Sequence, residues 1–260
     1  MSLINYTDSY GNFYQLNNSG ESPTTIFIHG VGLDHSMWYP QKEFFQNKSV
    51  LFYDLINHGR SSGDFKELSF DIYSEQLLNL INELKLEKIN LVGFSIGALI
   101  AQHFTEKFYN KVNKLVLIGS VFQRSENQIK IVQSRYNQAL NGSSITTDSI
   151  KRWFSEDYLK NNSQVYDFFY ELLEKKNNHN FLPAYKTFVD SDKYPINYIK
   201  FKMPTLIMTG EDEVGSTVLM NERLSKEIKN SILYIIKNAK HAATIEQAQD
   251  VNNQLNKFLY

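Results

Sequence analysis

The sequence of 260 residues predicts an α/β protein with a mostly parallel central sheet, helices on both of its faces and an inserted helical lid. Three observations predict this class. Short apolar runs of strand length alternate with longer segments of helical period, several runs end at glycine-containing loops, and the alternation stops over residues 121–202 before it resumes. Residues 1–120 and 203–260 are therefore assigned to the core, and residues 121–202 to the lid.

In the first half of the core, strands are predicted from apolar, β-rich runs that end at turn residues, and helices from apolar residues at helical spacing. The longest of these helices has Ser69 as its N-cap and carries Leu77 and Ile81 on one face. In chain order the predicted elements are an edge hairpin over residues 2–17, a strand over 24–29, a short helix over 40–46, a strand over 50–55 and a helix over 70–86.

The centre of the sequence is the stretch G-x-S-x-G at residues 93–97, between an apolar strand that begins near residue 90 and an apolar helix over 96–109. A strand that turns into a helix within two or three residues forces the corner residue, Ser95, into a sparsely populated backbone conformation. The glycines on either side let strand and helix approach closely. This context predicts a nucleophile elbow, in which the serine hydroxyl stands above the sheet edge.

The remaining elements flank the lid. A strand is predicted over residues 114–119, after which residues 121–202 are polar, rich in tyrosine and helical in period. The lid contains predicted helices over 149–158 and 165–175, and the core resumes with a strand over 204–210, a helix over 217–228, a strand over 232–236 and a closing helix over 244–259. In such a sheet the active site lies outside the carboxyl ends of the strands.

Composition and charge restrict the class of partner. The apolar content of 42% is enough for a substantial core, and the net charge of −1 gives no general attraction to nucleic acid or to an anionic membrane. The N-terminus has no basic region followed by an apolar run, so we expect a soluble, cytoplasmic protein with a small-molecule partner. The absence of cysteine excludes disulfides and thiolate nucleophiles. The sequence is compatible with a homo-oligomer.

A serine hydroxyl becomes a nucleophile when a base takes its proton, an acid orients that base, and donors receive the oxyanion. His241 follows the last predicted strand and is the candidate base. Three carboxylates at residues 211–213 follow the preceding strand and supply the candidate acid. The chain order of serine, acid and histidine is the one expected of this architecture. The backbone N–H groups of Val31 and Ile96 are the candidate oxyanion donors.

Four motifs in this order resemble those of the α/β-hydrolase superfamily along nearly the whole chain. They are His-Gly-x-Gly from residue 29, Asp-x-x-x-His-Gly-x-Ser from residue 54, G-x-S-x-G from residue 93 and Gly-x-x-acid from residue 210. The resemblance implies the α/β-hydrolase fold. Residues 33–41 and the Arg-Trp-Phe segment at residues 152–154 are more narrowly similar to the 3-oxoadipate enol-lactonase group of lactone and ester hydrolases.

The resemblance implies Ser95 as the nucleophile and His241 as the base, with the oxyanion donors named above. The resemblance also concerns the acid of the triad. The family usually has this acid three residues after the glycine of the Gly-x-x-acid motif, which is the position of Glu213 here. Asp212 lies one residue earlier and is the alternative. We favour Glu213, since the extra methylene of glutamate lengthens its reach and needs only a small retreat of the backbone.

The lid and the loop after the first core strand supply candidates for substrate contact. Trp153 either closes the pocket from the lid or packs the lid helix, and His35 is a candidate for lining the pocket. Arg124, with Arg135 and Arg152 as further candidates, could bind a substrate carboxylate bidentately. The competing interpretation of each arginine is a solvated surface residue.

The other histidines are assigned structural positions. His29 is expected to shape the oxyanion loop by hydrogen bonding, His58 and His103 to be structural, and His179 to lie in a solvated turn. No pair of histidines or carboxylates has ligand spacing for a metal, so no metal site is predicted. A dinucleotide fingerprint at Gly30 fails because His35 occupies the position of its third glycine.

These residues predict a serine hydrolase that cleaves a small ester or lactone through an acyl-enzyme and needs no cofactor. A dehalogenase of this fold would need a carboxylate where Ser95 stands, so that class is excluded. Carbon–carbon bond hydrolases and hydroxynitrile lyases can use the same serine and histidine and are the first alternative. The second is a slow-turnover ligand receptor that keeps the triad. A small panel of substrates distinguishes the first alternative from an ester or lactone hydrolase. Single-turnover kinetics together with a partner protein would favour the second alternative.

Overall fold

The structure, a computed structural model, describes residues 3–176 and 181–260. His179, interpreted above as part of a solvated turn, lies outside these ranges. The strands of the described chain are β1 (Ile4–Thr7), β2 (Phe13–Asn17), β3 (Thr24–Ile28), β4 (Val50–Tyr53), β5 (Ile89–Phe94), β6 (Val112–Ile118), β7 (Thr205–Gly210) and β8 (Ser231–Ile236).

These strands form one sheet in the order β1-β2-β4-β3-β5-β6-β7-β8. The pairs β1–β2 and β2–β4 are antiparallel, and all pairs from β4 through β8 are parallel. Every residue of β3, β4, β5 and β7 is buried, as expected for parallel strands that are covered on both faces. The predicted α/β architecture is confirmed.

Helices cover both faces of the sheet and form the segment between β6 and β7. In chain order they are α1 (Tyr39–Phe44), α2 (Phe70–Glu83), α3 (Ile96–Phe108), α4 (Glu126–Leu140), α5 (Thr146–Trp153), α6 (Glu156–Asn161), α7 (Ser163–Glu171), α8 (Leu182–Val189), α9 (Val218–Glu227), α10 (Ala243–Glu246) and α11 (Ala248–Leu259). The segment assigned to the lid contains α4 to α8, and its described residues contain no strand.

Two large apolar clusters, one on each face of the sheet, form the core, and a small third cluster lies between the lid helices α4 and α8. Successive residues of a strand point to opposite faces, so Ile26 packs in one cluster and Phe27 in the other. The same alternation divides Leu91 from Val92 on β5. Burial on both faces therefore fixes the register of the central strands, and with it the edge at which their carboxyl ends meet.

Two predicted helices are interrupted. The closing helix breaks at Gln247, whose φ of −125° and ψ of 46° are not helical and whose side-chain amide donates to the carbonyl of Asn238. The predicted lid helix over residues 149–158 is divided because Phe154 is extended and Ser155 caps α6 by accepting from the Tyr158 N–H. Both breaks lie beside the site described next.

In the described part of the chain, every helix is too short or too polar to cross a membrane.

Candidate active site

The turn between β5 and α3 holds Ser95 in a strained backbone conformation, with φ of 57° and ψ of −119°. A positive φ at a residue that is not glycine costs on the order of 1–3 kcal/mol. The Ser95 N–H donates to the Ile118 carbonyl at 2.9 Å, which ties the turn to the neighbouring strand β6. A Cβ at Gly93 would overlap the Gly97 carbonyl, and a Cβ at Gly97 would overlap the Ile28 carbonyl. Both glycines are therefore required by close contact between backbones.

Glu213 and His241 meet across the ends of β7 and β8. The His241 Nδ1 lies 2.6 Å from Glu213 Oε2, and since an ionised carboxylate only accepts, Nδ1 carries the proton. The other carboxylate oxygen of Glu213 accepts from the Gly215 and Ser216 N–H groups. Burial by itself would raise the pKa of Glu213, but the charge and hydrogen bond of His241 and the two amides lower that pKa to about 2. The pair is therefore an imidazole whose Nδ1 proton is held by a buried carboxylate.

The two candidate acids have different environments. Glu213 is 6% exposed and contacts the imidazole, whereas the Asp212 side chain is exposed to solvent and its backbone N–H donates to the Ala239 carbonyl. The position three residues after Gly210 points inward because the turn after β7 places Glu213 beneath its own loop amides. The geometry favours Glu213 over Asp212 as the partner of His241.

Two backbone N–H groups flank the serine. Val31 follows β3 and Ile96 is the first residue of α3, and neither N–H donates to a protein acceptor in residues 3–176 or 181–260. Unpartnered donors at a helix start favour an anionic group beside them. The two groups are available for the role that the sequence predicts, an oxyanion hole at the cavity edge.

Two buried, neutral histidines hold the loop that carries Val31. His29 Nε2 accepts from the Leu55 N–H at 2.9 Å, and His58 Nε2 accepts from the Gly32 N–H at 3.1 Å. Burial lowers the pKa of His29 and lowers the pKa of His58 to about 3. Because each Nε2 is an acceptor, both rings work in the neutral form. The structure gives both residues the structural positions expected of them.

A cavity of about 630 Å³ lies between the strand ends and the lid, and both Ser95 and His241 line it. Its volume is within the range of pockets for small organic ligands. Trp153 lines the cavity from α5, is 7% exposed, and has its ring centroid 6.2 Å from the His241 ring. It also packs against Phe169 of α7. Trp153 thus has both of the positions that the sequence left open, at the pocket and within the lid.

A buried carboxylate that the sequence analysis did not single out joins the lid to the loop before His241. Glu246 Oε1 accepts from the Ser155 N–H at 2.8 Å, and its Oε2 accepts from the Lys240 N–H at 2.9 Å. The Ala242 N–H also donates to the Trp153 carbonyl at 2.9 Å. Ser155, the partner of Glu246 on the lid, is 91 residues away in sequence, so no local pattern could have indicated this link.

The other two predicted substrate contacts, Arg124 and His35, differ in position: only Arg124 is at the cavity. Arg124 lines the cavity, but its Nε donates to Asp192 Oδ2 at 2.6 Å and its Nη2 donates to the Phe188 and Val189 carbonyls, so its charge is neutralised inside the lid. His35 does not line the cavity. Its Nδ1 lies 2.7 Å from the Asp54 carboxylate and its ring packs against Phe13.

The His35 environment also contains a cluster of possible metal ligands, since one ligand atom each from Asp34, His35 and Asp54 lies within 4.8 Å of the others. These atoms have internal partners. Asp34 Oδ1 accepts from the Ser36 N–H at 2.7 Å, and Asp54 Oδ2 accepts from the Arg60 N–H at 2.8 Å. We interpret the cluster as a hydrogen-bonded support for the loop after β3. His103 stacks on Phe70, where burial lowers the pKa of this histidine to about 4.

Comparison with known proteins places this geometry in context. The sequence profile of the alpha/beta hydrolase fold family matches residues 23–141. The chain is 25% identical to the (E)-2-((N-methylformamido)methylene)succinate hydrolase of Acinetobacter baylyi, over 92% of this chain and 91% of that protein. It is 22% identical to 3-oxoadipate enol-lactonase 2 of the same organism, over 92% of this chain and 90% of that protein.

The fold is also shared with solved structures. The crystal structure of the enol-lactonase from Burkholderia xenovorans LB400 is similar with a TM-score of 0.83 at 20% identity, covering 98% of this chain and 99% of that chain. The sheet order, the matching profile and the structural neighbour agree, and together they show that the chain has the α/β-hydrolase fold.

Proposed function

We propose that this α/β hydrolase is a serine hydrolase that cleaves a small carboxylic ester or lactone through an acyl-enzyme. One observation carries the proposal. A strained serine, its candidate oxyanion donor Val31 and a carboxylate-held imidazole line a single cavity, and the unpartnered N–H of Ile96 follows directly after the serine. Each has a role in acyl transfer, and together they supply the nucleophile, the base with its acid, and the oxyanion donors.

In the first half of the reaction, the Ser95 hydroxyl attacks the carbonyl carbon of the substrate while His241 Nε2 takes the hydroxyl proton. The imidazolium that forms is stabilised by the Glu213 carboxylate, whose hydrogen bond to Nδ1 already fixes the ring orientation. The N–H groups of Val31 and Ile96 donate to the carbonyl oxygen as it becomes an oxyanion. Collapse of the tetrahedral intermediate breaks the ester bond, and the His241 proton passes to the leaving alkoxide.

In the second half, a water molecule replaces the leaving group. His241 Nε2 takes a proton from the water as its oxygen attacks the acyl carbonyl, and the same proton then returns to the Ser95 oxygen as the acyl–serine bond breaks. The products are the free acid and the free serine. For a lactone, the leaving alkoxide remains attached to the acyl group, so a single hydroxy or oxo acid is released.

The similarities agree with this reaction class. The relatives are named as a hydrolase and an enol-lactonase, and a structural neighbour is an enol-lactonase. At these identities the names support hydrolysis at a carbonyl carbon as a hypothesis for this chain. A carbon–carbon bond hydrolase would use the same residues, so the bond itself must be tested.

The test is hydrolysis of p-nitrophenyl butyrate and of an enol-lactone by the wild-type protein and by Ser95→Ala. We expect kcat to fall at least about 10³-fold in the variant, and a stoichiometric acyl adduct on the wild type by mass spectrometry of quenched reactions. A β-diketone substrate tests the carbon–carbon alternative in the same assay. Undiminished ester hydrolysis by Ser95→Ala would end the proposal, and turnover of the diketone alone would replace it.

A further inference from the structure

The hydroxyl of Ser216 is buried beside the Glu213–His241 pair without a hydrogen-bond partner. Ser216 is 0% exposed, and its Oγ has no partner among the residues that the structure describes. Its N–H donates to Glu213 Oε1 at 3.1 Å, and its carbonyl accepts from the Thr209 hydroxyl at 2.8 Å and from the Asn221 side-chain amide at 2.9 Å. These three hydrogen bonds hold the residue in place, and none of them involves the hydroxyl.

Gly119 brings this hydroxyl close to the imidazole. Gly119 follows β6 with a φ of +62°, and a Cβ on it would lie 3.5 Å from Ser216 Oγ, 3.4 Å from His241 Cε1 and 3.5 Å from His241 Nδ1. The hydroxyl and the Nδ1–Cε1 side of the ring therefore lie around the same glycine, which places no side chain between them. All three residues line the cavity that Ser95 lines.

The rest of the surroundings of the imidazole is largely apolar. The ring centroids of Phe94 and Trp153 lie 4.9 Å and 6.2 Å from that of His241. Among the described residues, Glu213 is the one carboxylate in contact with the ring. Arg152, which lines the same cavity from α5, adds a positive charge that opposes a second one on His241. An imidazolium at this position is therefore stabilised by one anion, and further stabilisation must come from nearby dipoles.

The missing partner of the Ser216 hydroxyl destabilises the folded protein, and an unsatisfied buried group in a native structure calls for an explanation. A serine hydroxyl has two lone pairs and one hydrogen that rotates to suit its surroundings. Because no protein acceptor holds this hydrogen, the oxygen can turn its lone pairs towards a positive charge as that charge forms. A dipole already in place at an apolar site stabilises developing charge more than the same dipole does in water.

We propose that Ser216 is a positioning residue, whose hydroxyl oxygen stabilises the protonated form of His241 during acyl transfer. Its Oγ is closed to solvent, so it acts on the base and does not contact the substrate. No proton passes to it, and its effect is largest in the transition state, when His241 carries the proton of Ser95. The role in turnover rests on the proposed function, whereas the effect on the imidazolium is tested separately.

The kinetic test is hydrolysis of p-nitrophenyl butyrate by Ser216→Ala. We expect kcat to fall about fivefold while KM stays within about twofold of the wild-type value, because the lost interaction exists only once the imidazolium forms. Ser216→Thr keeps the hydroxyl and should recover at least about half of the wild-type kcat. Ser216→Cys, close in size to serine but with a weaker dipole, should have an intermediate kcat and decides if the threonine variant does not fold. Wild-type kcat in Ser216→Ala would overturn the proposal.

Stability distinguishes this role from a purely structural one. Ser216→Ala removes a buried hydroxyl that has no partner, so Tm should stay unchanged or rise while kcat falls. Ser74 is equally buried, but its hydroxyl donates to the Phe70 carbonyl at 2.7 Å. Ser74→Ala is therefore the matched control, and it should lower Tm by about 2–4 °C with unchanged kcat. A loss of kcat in Ser216→Ala that is accompanied by a similar fall in Tm would indicate a structural role and overturn the proposal.

A transition-state analogue separates this proposal from the proposed function. Butylboronic acid adds to a serine oxygen as a tetrahedral anion, while the serine proton passes to the base, so the adduct contains the imidazolium without any turnover. We expect its dissociation constant, measured by calorimetry, to rise about fivefold in Ser216→Ala and to stay unchanged in Ser74→Ala.

The outcomes of the two assays decide between the proposals. Boronate binding that weakens in Ser216→Ala, in a protein that does not hydrolyse the ester, would retain the role of Ser216 and reject the proposed function. Ester hydrolysis that depends on Ser95, with wild-type kcat and boronate affinity in Ser216→Ala, would reject the role of Ser216 alone. A protein that neither hydrolyses the ester nor binds the boronate would reject both.

Discussion

The two halves of the cavity are built in different ways. On the core side, Ser95, Glu213 and His241 follow the parallel strands β5, β7 and β8, and backbone contacts that admit only glycine hold the turn after β5. On the lid side, Arg135 and Arg152 project from separate helices and have no internal partners among the described residues. The half that would perform chemistry is fixed by the sheet. The half that would choose the substrate belongs to an inserted segment, whose sequence can vary without disturbing the strands.

Two contacts join the halves close to the base. Glu246 accepts one N–H from the lid and one from the residue before His241, and Trp153 packs near the histidine ring. These contacts couple the position of the lid to that of the base. If the core is the rigid part and the lid the adaptable one, substitutions should have their largest effects in the core and smaller effects at the contacts between the halves.

The largest effect is expected at the acid of the core half. Glu213→Gln should lower kcat about 10³-fold or more, because the buried carboxylate that orients His241 and stabilises its protonated form is lost. Steady-state hydrolysis of p-nitrophenyl butyrate measures this change in kcat. Asp212→Asn is the matched control one residue away, and we expect it to change kcat by less than about twofold. A larger loss of kcat in Asp212→Asn than in Glu213→Gln would identify Asp212 as the acid instead.

The next effect compares a glycine from each half. Gly97→Ala places a Cβ against the Ile28 and His29 carbonyls and should lower the free energy of unfolding by about 2–3 kcal/mol, the usual cost of overpacking. Gly142, in the lid, has open space where a Cβ would stand, but its φ is +79°. Gly142→Ala should therefore cost only about 1 kcal/mol, from backbone strain. Urea denaturation measures both, and equal costs would contradict the proposed difference in rigidity.

A smaller, pH-dependent effect is expected from the loop beside the oxyanion donors. The pKa of His58 is lowered to about 3 in the folded state, so the unfolded chain binds the proton more readily. Its contribution to stability is full above about pH 6.5 and is lost progressively as the pH falls towards 3.

Replacing the titrating ring tests this contribution. In His58→Gln the slope of unfolding free energy against pH, between about pH 6 and 4, should become shallower by up to about 1.4 kcal/mol per unit. Lys66→Gln, at an exposed position, is the control and should keep the wild-type slope. An unchanged slope in His58→Gln would mean that this ring does not stay neutral in the folded protein.

The smallest effect is expected where the halves meet. In Glu246→Gln one oxygen can still accept an N–H, but the amide nitrogen cannot, so one of the two links is lost. We expect a decrease in kcat of about fivefold and a loss of about 1 kcal/mol in unfolding free energy, typical of one hydrogen bond. Glu246→Ala should lose more on both measures. Wild-type kcat in both variants would show that the lid and the base are independent.

The sequence determined the fold class and the core half of the site. Strand and helix periods, with glycines at residues 93 and 97, are local signals, and the order of serine, acid and histidine follows from the chain itself. The sequence also identified Glu213 and Asp212 as the two candidates for the acid. These features were accessible because each depends on a few adjacent residues and on a sheet whose strand ends share one edge.

Only the tertiary structure decided which carboxylate meets His241 and which arginines face the cavity without partners. Glu213 and Asp212 are adjacent in sequence, and their separation into a buried and an exposed side chain depends on the turn after β7 and its amides. Arg124 and Arg152 likewise cannot be distinguished by local pattern. The partner of Arg124, Asp192, is 68 residues away, and a charge is neutralised or left free by contacts that the folding of the whole lid brings together.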